Sequence, residues 1–303
     1  MKVITKRGSM TLGSAIGRLL TPTLTLVAAA AILLPASETF GGQLDLTGTT
    51  TTFDNFFGDG VKFSTVDNQP TGTGVFKPFL TLQNSPIEQG YNTSGNADGS
   101  NNRDVFDTKR QPNWNHDIKL GDLQKVDGFY VFELDANETG NGTDSRLLSV
   151  DNIVIYGSPN GKQGTEQFDA NGILQFTDKK LVYMLNNPNT PTAEMPNWVK
   201  IDASKKDGGS TSGSGSSDML VYIPADYFTK AGVVDSDYVY FYDLNGVHYA
   251  SEAGTSADAG YEEWSAKQGP NSVPDGGNTL VLFGTAIVAL GVLAGRRKLA
   301  IVA

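Results

Sequence analysis

Two histidines, no cysteine and a surplus of carboxylates set the chemistry open to this chain of 303 residues. Without cysteine there are no disulfides, no thiolate metal sites and no cysteine nucleophile. His116 lies in Trp114-Asn115-His116-Asp117, and His248 lies in Gly246-Val247-His248-Tyr249. A serine hydrolase needs a histidine beside a serine exposed on a sharp Gly-x-Ser-x-Gly turn. No such turn occurs, and the nearest stretch, Gly209-Ser210-Thr211-Ser212-Gly213, has threonine at its centre. Both histidines are therefore read as non-catalytic, His248 as a surface or packed side chain in a strand. No glycine-rich loop opens a helix after a strand, so nothing points to nucleotide binding.

Carboxylates remain, and they need no short motif. Asp135-Ala136-Asn137-Glu138-Thr139-Gly140-Asn141-Gly142-Thr143-Asp144 offers oxygen ligands at the close spacing that Ca²⁺ requires. Asp135, Asn137 and Gly140 fit the start of an EF-hand loop, but Arg146 stands where the bidentate glutamate should be. The candidate ligands are Asp135, Asn137 and Asp144; the competing view is a solvated hairpin turn. No other cofactor is indicated. A looser group is Asp98, Asp104 and Asp107. A glycosidase needs only two facing carboxyl groups, so it is the enzymatic alternative to a non-catalytic protein. Trp114, Trp198 and Trp264 could stack on sugar rings, although tryptophan in a β-domain more commonly fills the core. Trp114 sits in the polar stretch Pro112–Asp117 and is the candidate for an exposed, carbohydrate-binding residue.

The elements that would position these groups are strands. No segment has a convincing amphipathic helical period; short apolar runs alternate with Gly/Asn/Asp-rich turns. Strands are predicted at Gln43–Thr49, Val61–Val66, Val75–Leu82, Gly128–Asp135, Leu147–Tyr156 and Ile173–Phe176. Five more are predicted at Lys180–Leu185, Trp198–Asp202, Asp218–Ile223, Tyr238–Leu244 and Val247–Ala250. Asn245-Gly246 between the last two reads as a hairpin turn. One short helix is predicted at Ala225–Ala231, and long loops at Asn84–Asn102 and Asp207–Ser217. Many short strands with regular turns predict an all-β fold, a single jelly-roll-like β-sandwich domain.

Both ends read differently. Lys2, Lys6, Arg7 and Arg18 precede an apolar stretch, Leu24–Leu34, and then Pro35-Ala36-Ser37. That is the layout of a secretory signal peptide over residues 1–37, with cleavage near Ala36 or Ser37. Near the other end, Val273-Pro274-Asp275-Gly276-Gly277 is followed by an apolar run, Thr279–Ala294, and then by Arg296-Arg297-Lys298. The uncharged stretch Gly276–Gly295 is about the length that crosses a ~30 Å hydrocarbon core. The basic cluster acts as the membrane stop and marks the cytoplasmic side. The expected organisation is a signal peptide (1–37), a β-sandwich domain (38–266), a linker with the turn motif (267–277), a transmembrane helix (278–295) and a basic cytoplasmic tail (296–303). The whole chain carries 23 basic and 33 acidic residues, a net −10. Between the two end segments stand 16 basic and all 33 acidic residues, a net −17. So acidic a domain disfavours nucleic acid and anionic membranes, and it suits attraction of divalent cations.

The tail resembles the carboxy-terminal sorting signal of PEP-CTERM proteins, in its Val-Pro-Asp-Ser-Gly variant. Val273, Pro274, Asp275 and Gly277 match, and Gly276 stands in place of the serine. Two blocks of the body are also similar to exported members of that family: Phe132–Glu138 with Leu147–Ile153, and Tyr238–Asp243 with Asn245-Gly246 and Ala259–Trp264, the latter as closing hairpin and last strand. The resemblance implies recognition of Val273–Gly277 by an exosortase-like membrane enzyme and transit through the inner membrane of a Gram-negative bacterium. It further implies release to the cell surface or matrix, in association with exopolysaccharide, and no catalytic role. The alternatives are a carbohydrate-binding module or a carboxylate-based glycosidase acting on surface polysaccharide.

Overall fold

A computed structural model describes residues 42–48, 51–65, 76–95, 105–109, 111–138, 146–186, 195–203, 217–258 and 260–267. The signal segment, the motif Val273–Gly277, the apolar run Thr279–Ala294 and the cluster Arg296–Lys298 lie outside the described residues, as does most of the predicted loop Asp207–Ser217. Among the described residues no helix is long and apolar enough to cross a membrane.

Among the described residues, fourteen strands form two sheets. In chain order they are β1 (Gln43–Asp45), β2 (Thr52–Asp54), β3 (Lys62–Ser64), β4 (Leu80–Leu82), β5 (Glu88–Tyr91), β6 (Ile118–Lys119) and β7 (Lys125–Val126). Then come β8 (Phe129–Ala136), β9 (Leu147–Ser158), β10 (Lys180–Met184), β11 (Trp198–Asp202), β12 (Met219–Pro224), β13 (Tyr238–Asn245) and β14 (Glu262–Ala266). The first sheet runs β1-β11-β9-β13-β5; β10 continues the β11 edge of β9, and β6 pairs with β13. The second runs β2-β3-β12-β8-β14-β4, with β7 against β8. All pairings are antiparallel except β1 with β11.

Alternation explains how the sheets meet. Tyr130, Phe132, Leu134 and Ala136 of β8 project inward, as do Trp264 and Ala266 of β14. Val239 and Phe241 of β13 face them from the other sheet. Phe241 packs on Phe132 and Trp264 across the gap, with ring centroids 4.9 and 4.5 Å apart. This is a β-sandwich with an aromatic centre. The first sheet is buried on its other face as well. There Tyr91, Val154, Tyr156, Tyr240 and Tyr242 lie under Phe106, Phe168, Leu174 and Phe176. That second covering is why β9 is buried on both faces, with Ile153 and Ile155 in the inter-sheet core and Val154 and Tyr156 in the outer one.

The helix α1 (Ala225–Lys230) forms where predicted, directly after Pro224, whose fixed φ suits a helix start. It anchors through Phe228, whose ring lies 4.8 Å from that of Tyr130. Three expectations are corrected. Val247–Ala250 is a short 3₁₀ turn and not a strand, so Asn245-Gly246 closes no hairpin. Gly246 has φ +83°, and a Cβ there would run into the Pro86 carbonyl oxygen, so only glycine fits the turn that leads the chain off the sheet. Ile173–Phe176 makes only an isolated bridge, Phe168 to Leu174, because it caps the outer core and does not extend a sheet. The predicted loop Asn84–Asn102 contains β5, whose Glu88–Tyr91 pair with β13. Polar composition hid that strand, since its inward residues are Glu88 and Gly90.

Candidate functional site

At one end of the inter-sheet space the apolar filling gives way to carboxyl groups. The strand period places them. Asp243 and Asn245 follow Phe241 on the inward side of β13, Glu262 precedes Trp264 on the inward side of β14, and Glu88 stands opposite Asn245 on β5. Glu138 lies two residues beyond Ala136, the last residue of β8. Glu88, Asp243, Asn245 and Glu262 are each 0 % exposed.

The hydrogen bonds are one-sided. The Asn245 Nδ2 amide donates to Glu88 Oε1 and to Asp243 Oδ2, both at 2.8 Å. Trp264 Nε1 donates to Asp243 Oδ2 at 2.7 Å. The backbone N–H of Asn84 donates to Glu88 Oε2 at 3.3 Å, and that of Asp258 to Glu138 Oε2 at 2.9 Å. The carboxyl of Glu262 lies within hydrogen-bonding reach of those of Glu88 and Glu138. With all groups ionised, five buried oxygens have no donor: both of Glu262, Asp243 Oδ1, Asn245 Oδ1 and Glu138 Oε1.

The electrostatics follow from that geometry. Burial pushes Glu88 up to about 7, opposed by hydrogen bonds from Asn245 and Asn84. Burial likewise raises Glu138 to about 8 and Asp243 to about 8. Glu262 is driven well above the carboxylate range, first by burial and then by Glu88, Glu138 and Asp243. The other charged groups acting on the four are Asp107, Asp151 and Asp258, all acidic. Carboxyls so placed hold protons or a cation, because isolated buried charge is too costly.

The sequence-predicted ligands go elsewhere. Asp135 belongs to strand β8 and not to a loop; it lies on the outward face of the second sheet opposite Glu263. Asn137 donates its side-chain amide to the Tyr261 carbonyl at 2.9 Å, and Asp144 lies outside the described residues. Among the described residues no three His, Cys, Asp or Glu side chains stand ready as a metal-ligating group. Asp98 and Asp104 also lie outside, whereas Asp107 accepts from Asn84 Nδ2 and the Gln89 N–H and so ties down the start of β5.

Two histidines and three tryptophans complete the inventory. His248 Nδ1 is 2.5 Å from Asp151 Oδ1, and its ring stacks on Trp198 at 4.4 Å. Ser149 Oγ donates to Asp151 at 2.9 Å and not to the imidazole, so the three do not form a hydrolytic relay. Asp151 also accepts from the Val247 N–H at 2.6 Å, which makes it the tie that holds the 3₁₀ turn to β9. Burial lowers the pKa of His116, favouring its neutral form. Trp264 and Trp198 are core residues, while Trp114 is 41 % exposed in the turn before β6. Glu88, Glu138, Asp243 and Glu262 gather at one end of the inter-sheet space, whereas Asp135 and Glu263 face each other on the outer side of the second sheet, where burial and the Asp135 carboxylate push Glu263 up to about 7.

The cluster escapes sequence reading because its members are scattered over residues 88 to 262. The one local hint is Glu262 two positions from Trp264, a charge in phase with a core residue. Known proteins give no further guide: no family model matches the chain, and no curated protein and no solved structure is significantly similar to it.

Proposed function

We propose that this is an exported, non-catalytic protein of a Gram-negative cell envelope or extracellular matrix, retained at the inner membrane and then processed by an exosortase-like enzyme. The observation that carries this reading is the order of turn motif, apolar run and basic stop in Val273–Lys298, joined to the signal-like residues 1–37. A β-sandwich, taken here as jelly-roll-like, suits the role because it needs no disulfide. The acidic balance of the intervening segment supports an extracellular, cation-rich setting. A catalytic role has little support: Ser149, Asp151 and His248 are arranged to hold a turn, and the facing carboxyls are buried.

The test is dependence on the processing enzyme. Expressed in a Gram-negative host with an exosortase, the protein should leave the inner membrane; without one, it should accumulate there through Thr279–Ala294. Equal distribution in the two hosts would reject the sorting role. A second reading, a carbohydrate-binding module, is favoured by the exposed Trp114, whose ring is free to stack on a sugar.

A further inference from the structure

We propose that β1 is an exchangeable strand: the β11 edge that it fills in its own chain accepts the same strand from a second copy of this chain, so that copies join head to tail. Such joining needs neither the sorting tail nor a sugar ligand.

Little of the fold depends on β1 staying with its own chain. It precedes every other described strand, so it can leave without drawing another strand with it. It has one neighbour, β11, and that pairing is parallel in sheets that are otherwise antiparallel. Gln43, Leu44 and Asp45 stand beside Trp198, Val199 and Lys200. At the two ends of the seam the Trp198 N–H donates to the Gly42 carbonyl at 3.3 Å, and the Leu46 N–H donates to the Lys200 carbonyl at 2.8 Å.

What β1 puts into the body is two apolar plugs. Leu44 and Leu46 share a face by the period of a strand, and both are buried in the inter-sheet core that also holds Val199 and Ile201. Gln43 and Asp45 alternate with them and are exposed. Backbone bonding along one edge, with alternate side chains in pockets, is the mode in which a sheet edge takes up an added strand. Without β1, β11 would present an unpaired edge with Val199 and Ile201 uncovered. The sequence that fits this gap is Gly42–Leu46, and every copy carries it.

The connection to the rest of the chain suits exchange. Asp45 Oδ1 accepts from the Thr47 N–H at 2.8 Å and from the Thr47 hydroxyl at 2.6 Å, a local turn that ends the strand and travels with it. From there to β2 the chain reads Gly48-Thr49-Thr50-Thr51, and β2 belongs to the other sheet. A Cβ at Gly48 would meet no atom within 4 Å, so no packing pins the chain at that point. The contacts of β1 on β11 are the same within a chain or between chains, so concentration decides between the two. A strand on a short flexible linker has an effective concentration in the ~mM range, and exchange competes once copies are held at comparable density, as on a membrane surface or in a matrix. Donation through β1 and receipt at β11 use different surfaces, so the contact is heterologous and continues from copy to copy.

The chain has no cysteine, which makes a crosslinking test direct. Asp45 and Lys200 are register partners on adjacent strands, a placement that a disulfide can span. The full chain in mild detergent is prepared as Asp45→Cys and, separately, as Lys200→Cys; the two are mixed and oxidised gently. At about 0.5 mM a covalent heterodimer should form in at least about five-fold greater yield than from Asp45→Cys with Asp122→Cys, an exposed position outside both strands. With both substitutions in one chain, oxidation before concentration locks β1 in place; that chain should sediment as a monomer, and reduction should restore assembly. The unaltered chain should sediment as a series that grows with concentration. A heterodimer yield no greater than that of the Asp122→Cys mixture would overturn the proposal, as would oligomers that survive the lock. Should a cysteine variant fail to fold, a synthetic Gly42–Gly48 peptide in excess over the unaltered chain decides: it should occupy β11 and shorten the series, whereas a series indifferent to the peptide, or a monomer at every concentration, would overturn the proposal.

Discussion

Raising the pH should strip this domain of stability from its carboxyl end. Burial raises the folded-state pKa of Glu88, Glu138, Asp243 and Glu262, whereas in the unfolded chain such groups ionise near 4. The folded state therefore holds protons that the unfolded state has released, and stability falls with rising pH. The contribution is intact below about pH 4 and is lost as the pH climbs through about 7 for Glu88 and about 8 for Glu138 and Asp243. Glu88 alone, moved from 4.5 to about 7, accounts for about 3 kcal/mol at ~1.4 kcal/mol per pH unit. Asp243, moved from 3.8 to about 8, accounts for more, on the order of 5 kcal/mol. The groups share protons, so the total belongs to the cluster and is not the sum of its members. Against a net stability of about 5–15 kcal/mol, a loss of this size is enough to bring the domain close to unfolding. Urea midpoints of the full chain at about pH 6, 7, 8 and 9 give the measurement. They should fall steadily across that range as the buried carboxyls give up their protons. Glu262→Gln should lessen the slope by about one proton. Midpoints that stay level or rise between about pH 6 and 9 would refute the assignment of raised carboxyl pKa values to the folded state.

Two further outcomes follow from single positions. Gly246→Ala places a Cβ against the Pro86 carbonyl at φ +83°, and should cost about 1–3 kcal/mol in urea unfolding because neither backbone segment can yield; a cost under about 0.5 kcal/mol would mean the turn relaxes. Trp114→Ala removes a side chain that is 41 % exposed and should leave stability within about 0.5 kcal/mol, while lowering retention on host exopolysaccharide if the sugar-binding reading holds; unchanged retention would exclude Trp114 from that role.

The strands with a clear period were legible in the sequence to within a residue or two. Trp198–Asp202 forms as predicted, and Phe129–Ala136 and Tyr238–Asn245 shift by about one residue. Their alternating aromatics meet one another across the sandwich, which is what period-two patterning encodes. Val247–Ala250 was misjudged because Asn-Gly is a local signal, whereas the turn is fixed from outside, by Asp151 holding the Val247 N–H and by Pro86 crowding Gly246. Tertiary contacts of that kind leave no trace in spacing. The carboxyl cluster was illegible for a related reason. Glu88 sits in a polar stretch that reads as loop, Glu138 in one that reads as a metal-binding or hairpin turn, and Glu262 in the final strand; only the packing of two sheets makes them neighbours. Asp135 drew attention through close spacing to Asn137 and Asp144, yet strand β8 turns it to the opposite face from Glu138.

The claim that organises this account is that Val273–Lys298 is a sorting device removed on the way to the cell surface. Intact-mass measurement of the protein recovered from the envelope and the medium of a host carrying an exosortase addresses it directly. The account predicts a species that has lost residues 1–37, near the Ala36 or Ser37 junction, and everything after the Val273–Gly277 motif. A surface or secreted species that still contains Arg296–Ala303 would contradict it.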